Sequence, residues 1–160
     1  MKILGIDPGT ATTGFGVIEV EKGRSPKAID FGVISTPSTD EMPARLDTLY
    51  KDLGEIIAHH KPDAVAIELL FFARNVTTAI TVGQARGVAI LVCEQAKLPI
   101  AEYTPLQVKQ AVTGYGKAEK KQVQQMVKTI LNLTVIPKPD DAADALAIAI
   151  AHSAAIRFQN

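Results

Sequence analysis

Residues 2–36 read KILGIDPGTATTGFGVIEVEKGRSPKAIDFGVIST, and this stretch decides the fold. It contains three apolar runs that are rich in strand-forming residues, at 2–7, 13–23 and 27–36. Pro8 and Gly9 suit the two central positions of a type II turn, and KGRSP marks a second turn. Three strands joined by such short connections are most simply an antiparallel meander.

Helical and strand-like patterns alternate after the meander. The predicted elements are, in chain order, an amphipathic helix over 42–60, a buried strand at 63–68, a long helix capped by Asn75 and running to about Lys97, a strand at 99–104, helices at about 105–113 and 118–133, and a last helix from Asp140. This order predicts an α/β fold with a five-stranded mixed sheet flanked by helices. Strands four and five should run parallel to strand one.

Length and composition are those of a globular protein. The 160 residues predict a single domain over 1–160, with 47% hydrophobic and 21% charged residues. No apolar run reaches the roughly 18 residues that a membrane helix needs, so no membrane contact is expected. Because the chain has one cysteine, Cys93, we expect a reducing, cytoplasmic location and a core role for that residue.

The net charge hides an uneven distribution. The chain as a whole has a formal net charge of zero, but the segment 103–138 contains a single acid, Glu119. The same segment carries six lysines, at positions 109, 117, 120, 121, 128 and 138. A basic patch of this kind predicts a polyanionic partner.

Two carboxylates stand at the ends of predicted parallel strands. Strand one ends in Asp7 and strand four ends in Glu68. The residues that share their strand faces are small, namely Gly5, Ala64 and Ala66, which leaves room for something to pack or bind there. Ligands collect at the carboxyl ends of parallel strands, so this edge is the candidate site.

The last helix brings further acids. Asp141 and Asp144 lie at i and i+3, and they would project from one side of that helix toward Asp7 and Glu68. Four such carboxylates should protonate or hold hard cations, and oxygen ligands favour Mg²⁺ or Mn²⁺. Two ions about 4 Å apart would suit phosphodiester hydrolysis.

Each acid also has a plainer explanation. Asp7 could simply open the Pro-Gly turn, and Asp140 is best explained as the N-cap of the last helix. Asp141 and Asp144 could be acids that the helix dipole favours in a first turn. His59 and His60 end a surface helix and should be solvated, while His152 lies far along its helix from Asp144.

Several motifs together resemble one family. GIDPGTATTGFGVIE, IELLFFARN, GQARGVAI, TPLQVKQAVTGYGKAEKKQVQQMV and DDAADALAIAIAH are similar to those of the RuvC Holliday-junction resolvases, in the same order over nearly the whole chain. The resemblance implies an RNase H-like fold and a magnesium-dependent crossover junction endodeoxyribonuclease, with Mn²⁺ able to substitute. It places the acids that bind two metal ions at Asp7, Glu68, Asp141 and Asp144. Asp140 stays open as a supporting residue or a substitute ligand.

The resemblance also implies further site residues. The active-site lysines fall on Lys109 and Lys120, and the phenylalanine that stacks on the junction falls on Phe71. Arg74 is a candidate phosphate contact, and it is equally compatible with a solvated surface charge. Two further lysines of the basic segment, Lys117 and Lys121, are candidate DNA contacts.

The function implied is resolution of four-way (Holliday) junction DNA by paired symmetric nicks, in homologous recombination and DNA repair. The resemblance also implies a homodimer and, as a further partner, a branch-migration motor of the RuvA-RuvB type. The candidate dimer element is the predicted long helix with Gly83 and Gly87. Two alternatives stay open: a non-catalytic RNase H-like junction-binding module, and a single actin-like phosphate-binding domain that uses GIDPGTATTGFGV. A YqgF-type protein shares the first motif but fits the lysine segment less well.

Overall fold

The computed structural model describes residues 1–69 and 76–157. The five strands of these ranges are β1 (Lys2–Asp7), β2 (Thr12–Glu19), β3 (Lys27–Ser35), β4 (Ala64–Glu68) and β5 (Ile100–Tyr103). The five helices are α1 (Met42–His60), α2 (Val76–Gln95), α3 (Pro105–Thr113), α4 (Lys120–Ile130) and α5 (Asp140–Arg157). The predicted element order is confirmed. None of the described helices is both long enough and apolar enough to cross a membrane.

The strands form a single mixed sheet in the order β3-β2-β1-β4-β5. β1 pairs antiparallel with β2, and β2 pairs antiparallel with β3, which is the predicted meander. β4 runs parallel to β1, and β5 runs parallel to β4. The predicted fold class is therefore confirmed, and β1 stands at the centre of the sheet with Asp7 as its last residue.

The turn after β1 differs from the prediction. A type II turn needs a positive φ at its third residue, but Gly9 is not among the described residues with positive φ. A Cβ at Gly9 would lie 2.1 Å from the carbonyl oxygen of Thr12, so the backbone itself fills the space of a side chain. The type II prediction is wrong because Gly9 lacks the positive φ that this turn needs, and its backbone packs against the Thr12 carbonyl group instead.

Two helix boundaries also shift. α4 spans Lys120–Ile130 rather than 118–133. It begins late because the side chain of Gln122 caps it by accepting a 2.7 Å hydrogen bond from the Glu119 N–H. It ends early because Asn132 adopts a positive φ of 52°. α2 ends at Gln95, and Lys97 has a positive φ of 58°. The predicted cap of α2, Asn75, lies outside the described residues.

The core has two parts, one on each face of the sheet. Alternate residues of β1 belong to opposite parts: Ile3 is buried against α3, α4 and α5, whereas Leu4 and Ile6 are buried against α1 and α2. Cys93 is fully buried in the second part, as predicted, and this burial raises the pKa of its thiol to about 12. The sheet face that carries Ile3 also carries Gly5 and Asp7.

α5 lies directly on the backbone of β1 and β2. A Cβ at Gly5 would lie 2.0 Å from the carbonyl oxygen of Ala145, and one at Gly14 would lie 2.1 Å from that of Asp141. Gly5 therefore makes the room on this face that the sequence indicates, and the last helix occupies it. This close approach fixes both the height and the rotation of the first turn of α5 above Asp7.

One prediction about the far end of α1 is wrong. His60 is only 8% exposed and its Nε2 lies 2.9 Å from Oδ2 of Asp30 on β3, so it is not a solvated surface residue. The neighbouring His59 is exposed, as expected. The helix turns His60 inward against the sheet while His59 stays on the outer face, because consecutive helical residues point about 100° apart.

Candidate active site

Three carboxylates meet where β1 ends and α5 begins. Asp7, Asp141 and Asp144 each offer one oxygen, and these oxygens lie within 4.8 Å of one another. Asp7 comes from the central strand, while Asp141 and Asp144 come from one face of the first turns of α5. The predicted convergence of acids from a strand end and the last helix is therefore found for these three residues.

Glu68 adjoins this group without belonging to it. It ends β4, the parallel neighbour of β1, and it lines a cavity of about 210 Å³ together with Asp144, Lys109 and Lys120. Burial and the charge of Asp144 raise the pKa of Glu68, although Lys109 and Lys120 act in the opposite direction. Glu68 is thus electrostatically coupled to the cluster from one strand further along the sheet.

The clustering is unfavourable for ionised carboxylates. Burial raises the pKa of Asp7 to about 8, and the charges of Glu68, Asp144 and Asp141 raise it in the same direction. Burial also raises the pKa of Asp144, against the effect of its hydrogen bond from Lys120. Burial and the neighbouring acids therefore favour the protonated form of Asp7, whereas a bound cation would favour the ionised form.

Asp140 and Asp141 have different surroundings. Asp140 is the first residue of α5, and its side chain is 48% exposed. Its carboxylate lies 3.3 Å from Nζ of Lys138 and 3.6 Å from Nζ of Lys120. The hydrogen bond from Lys138 lowers the pKa of Asp140. Asp140 therefore begins the helix, as predicted. Among the described residues its carboxylate bonds the side chains of Lys138 and Gln124 rather than the backbone N–H groups that an N-cap would accept from, and it lies outside the cluster of three acids.

Lys120 provides the positive charge beside the cluster. Its Nζ donates a 2.9 Å hydrogen bond to Oδ2 of Asp144. Burial lowers the pKa of Lys120, but the hydrogen bond and the charges of Asp144, Asp140 and Asp141 raise it more, so the net shift is upward. Lys109 reaches the same cavity from α3. The structure thus brings both predicted lysines to the acidic site.

The other predicted DNA contacts lie elsewhere. Lys117 and Lys121 are exposed, and Lys121 lines a groove with Tyr115 and Met126 on the outer side of α4. Phe71 and Arg74 lie outside the described residues.

Two supporting side chains were not predicted from the sequence. Thr12 Oγ1 donates a 2.7 Å hydrogen bond to Oδ2 of Asp141. Arg86 donates a 3.2 Å hydrogen bond to the carbonyl oxygen of Glu68, and it also pairs with the carboxylate of Glu102. Arg86 could have been suspected from the sequence, because it lies within the motif GQARG. No pattern in the sequence distinguishes Thr12 from its neighbours Thr10 and Thr13.

His152 belongs to a separate interaction. Its Nδ1 lies 2.9 Å from the hydroxyl of Tyr103, and burial lowers the pKa of the imidazole while burial raises the pKa of Tyr103. Both groups are therefore neutral at pH 7 and share one hydrogen bond. His152 is not part of the acidic cluster, as expected from its distance along α5.

The donor set matches a hard divalent cation. The cluster consists of carboxylate oxygens from three residues, with a fourth carboxylate next to it, and it contains neither sulfur nor imidazole ligands among the described residues. Oxygen ligands of this kind suit divalent ions such as those of the Mg²⁺, Mn²⁺ and Ca²⁺ group. A bound cation would also remove the repulsion that raises the pKa of Asp7.

Comparisons with known proteins identify one family. The model of the family described as crossover junction endodeoxyribonuclease RuvC matches residues 3–152. A protein of that name from Syntrophomonas wolfei is 58% identical over 160 residues, covering 100% of this chain and 92% of its own.

Two solved structures are similar along nearly the whole chain. The Thermus thermophilus RuvC structure has a TM-score of 0.92 at 36% identity, covering 99% of this chain and 97% of its own. T. thermophilus RuvC in complex with Holliday junction substrate has a TM-score of 0.91 at 34% identity, covering 99% and 96%. With its RNase H-like sheet, its acidic cluster and a family match over most of its length, the chain belongs to the RuvC family of crossover junction endodeoxyribonucleases.

Proposed function

We propose that this chain is a structure-selective DNA endonuclease that resolves four-way junctions by paired symmetric nicks, in homologous recombination and DNA repair. The observation that carries the proposal is the acidic cluster: one carboxylate oxygen each of Asp7, Asp141 and Asp144 lies within 4.8 Å of the other two. Lys120 donates a hydrogen bond to Asp144 of this cluster. Membership of the RuvC family supports it, and a relative has been solved with a Holliday junction substrate. The whole chain, 1–160, would act as one nuclease domain.

The proposed cofactor is Mg²⁺, with Mn²⁺ able to substitute and two ions in each site. Asp7, Asp141 and Asp144 would hold them, and Glu68 would supply a fourth carboxylate from the neighbouring strand. Bound there, the ions would activate a water molecule and stabilise the attacking and leaving oxygens of the phosphodiester. The raised pKa of Asp7 supports this assignment, because the ions would displace a proton that the carboxyl group otherwise holds.

The protein itself would position the phosphate. Lys109 and Lys120 line the cavity beside Glu68 and Asp144, so their ammonium groups can bind the non-bridging oxygens of a phosphate lodged there. Such preorganised charges stabilise the negative charge that develops during hydrolysis. Lys117 and Lys121, which are exposed, would contact the DNA backbone further from the reacting bond. Phe71 and Arg74 complete the proposed DNA contacts by resemblance alone.

The proposed homodimer uses the exposed face of α2. Ile80 is 59% exposed and Leu91 is 50% exposed, although both are large and apolar. Gly87 lies on the exposed side of the helix, and nothing within 4 Å would meet a Cβ there, so a second helix can approach its backbone closely. Two copies would present two active sites to a substrate of two-fold symmetry. A branch-migration motor of the RuvA-RuvB type is proposed as partner from the resemblance, and a cytoplasmic location is proposed from the single cysteine, Cys93.

One experiment tests the function. The parent chain and Asp7→Asn are incubated with a labelled four-way junction and Mg²⁺, beside a linear duplex of the same sequence. We expect paired nicks in the junction alone from the parent, and binding without cleavage from Asp7→Asn. Intact junctions with the parent would contradict the proposal. Binding without cleavage by both proteins would instead identify a non-catalytic junction-binding module.

A further inference from the structure

Thr12 contacts one acid of the cluster from outside it. Its Oγ1 donates a 2.7 Å hydrogen bond to Oδ2 of Asp141, across 129 positions of sequence. Thr12 is the first residue of β2, where it pairs with Ser35 of β3. The bond therefore joins the antiparallel half of the sheet to the first turn of α5, at the place where Asp141 enters the cluster.

The loop that carries Thr12 is fixed from both sides. The carbonyl oxygen of Thr10 accepts a 2.9 Å hydrogen bond from Arg45 and a 2.7 Å hydrogen bond from Thr36, and Arg45 also donates to Thr36 Oγ1. Thr13 Oγ1 donates a 2.9 Å hydrogen bond to the carbonyl oxygen of Gly9. Because its neighbours are held by these bonds and by the sheet, Thr12 presents its hydroxyl from a fixed position.

A carboxylate that is held in this way is prepared to bind a cation. An ionised Asp has about four lone-pair positions on two oxygens, and Thr12 uses one of them. The hydrogen bond restricts rotation of the Asp141 side chain, and it engages Oδ2, so Thr12 does not compete with a metal ion for Oδ1. Hydrogen-bond partners of this kind orient metal ligands and change metal affinity about 10–100-fold when they are removed.

We propose that Thr12 is a positioning residue of the metal site: it holds Asp141 in the orientation in which Asp7, Asp141 and Asp144 bind a divalent cation. This inference rests on the proposed function, since it assigns a role within the same site. The hydroxyl acts through Asp141 and does not contact the reacting phosphate. The backbone contact of Gly14 with Asp141 sets the position of the helix, and Thr12 sets the orientation of the carboxylate.

The variants separate the hydroxyl from the rest of the side chain. Thr12→Val keeps the shape of threonine and removes the donor, whereas Thr12→Ser keeps the donor. Thr12→Ala serves as a second variant without the donor, in case valine packs poorly. Thr48→Val is the matched control, because Thr48 is a half-buried helical threonine, far from the acidic cluster in sequence, whose hydroxyl donates a 3.1 Å hydrogen bond within its own helix, to the carbonyl oxygen of Ala44.

The main measurement is Mn²⁺ binding to each protein without DNA, by electron paramagnetic resonance of the free ion. Thermal unfolding without metal verifies that each variant is folded. We expect Thr12→Val and Thr12→Ala to bind Mn²⁺ about tenfold more weakly than the parent, with Thr12→Ser and Thr48→Val within about twofold of it. In Mg²⁺ titrations of junction cleavage, the same two variants should need proportionately more Mg²⁺ and recover their rate at saturation.

If Thr12 acts through Asp141, the effects of substituting the two residues on Mn²⁺ binding should not add. On an Asp141→Asn background, Thr12→Val should weaken Mn²⁺ binding no further. Unchanged Mn²⁺ binding by Thr12→Val, or an equal loss on the Asp141→Asn background, would overturn the positioning role while the parent still binds metal and cleaves. A parent that neither binds Mn²⁺ nor cleaves junctions would overturn the proposed function and this role together.

Discussion

The ammonium group of Lys120 lies 2.9 Å from Oδ2 of Asp144, which joins the first residue of α4 to the first turns of α5. This contact places a half-exposed cation beside the acidic cluster. Its charge lowers the pKa of Asp144 and of Asp7, against the larger effect of burial. Lys120 therefore offsets part of the repulsion among the acids when no metal ion is bound. Its half-exposed ammonium group is also accessible to a phosphate.

Replacement of Lys120 should reduce chemistry more than binding. We expect Lys120→Ala to lower the single-turnover rate of junction cleavage by about 100-fold or more, because it removes a charge that stabilises the reacting phosphate. The junction Kd should change less than about threefold. Lys121→Ala is the matched control: this exposed neighbour lines a groove on the other side of α4, so its loss should weaken binding and reduce the salt slope by about one. Equal losses of cleavage rate and junction affinity in Lys120→Ala would contradict the assignment of Lys120 to the reaction rather than to DNA binding.

Asp7 should make the metal-free chain less stable as the pH rises. Its pKa is about 8 in the folded chain and 3.8 as an ordinary value, so the folded state holds more protons than the unfolded state between these limits. The free energy of unfolding therefore falls as the pH rises from about 4 to about 8. Asp7→Asn cannot ionise, and it should be more stable than the parent at pH 8.5 by about 2–4 kcal/mol.

Urea unfolding at pH 6 and at pH 8.5, with EDTA present, measures this difference. Addition of Mg²⁺ should restore the stability of the parent at pH 8.5 and have a much smaller effect on Asp7→Asn. Parallel pH profiles for the two proteins would show that Asp7 is already ionised at neutral pH, against the predicted shift.

Asp140 and Asp141 should respond differently to the same change. Asp141→Asn should lower the cleavage rate by at least about 100-fold, because it removes a ligand oxygen from the cluster of three. Asp140→Asn should stay within about threefold of the parent, because its partners are Lys138 and Lys120 and its side chain is nearly half exposed. Cleavage measured over a range of Mg²⁺ concentrations distinguishes them. A large loss in Asp140→Asn that excess Mg²⁺ reverses would make Asp140 a ligand.

The glycines under α5 should be intolerant of a single methyl group. Gly14→Ala would place a Cβ 2.1 Å from the carbonyl oxygen of Asp141, so it should destabilise the fold by about 1–3 kcal/mol. Gly54→Ala is the matched control in the interior of α1, where a Cβ would meet nothing within 4 Å. It should stabilise the chain by about 0.5–1 kcal/mol. The midpoints of urea unfolding measure both, and a neutral Gly14→Ala would mean that α5 can shift away from β2.

A charge on α2 should separate the proposed dimer. Leu91→Lys should convert the protein to a monomer in analytical ultracentrifugation, because it buries an ammonium group in an apolar interface. Leu106→Lys is the control, since Leu106 is a leucine on α3 that is 61% exposed, against 50% for Leu91. It should leave the sedimentation of the parent unchanged. An unaltered dimer in Leu91→Lys, or a monomeric parent, would exclude this face of α2 as the interface.

The sequence determined the order of the elements and most of the acidic site. Period-two runs and short turns predicted the meander, and the small residues before Asp7 and Glu68 predicted a face that another element could approach. The acids at the strand ends and at i and i+3 of the last helix then followed from the geometry of parallel strands and helices. These features are local, so a single sequence is enough to read them.

The surroundings of Asp140 and Asp141 differ only in the tertiary structure. Both stand in the first turn of α5, and each has helical spacing to Asp144, so the sequence pattern alone is ambiguous. The rotation of α5 is set by its contact with the backbone of Gly5 and Gly14, which aims Asp141 into the cluster and turns Asp140 toward lysines.

The bonds of Thr12 to Asp141 and of Arg86 to Glu68 were likewise beyond the sequence. Each joins residues that are distant in the chain, and local periodicity contains no information about which distant residues packing brings within hydrogen-bond distance.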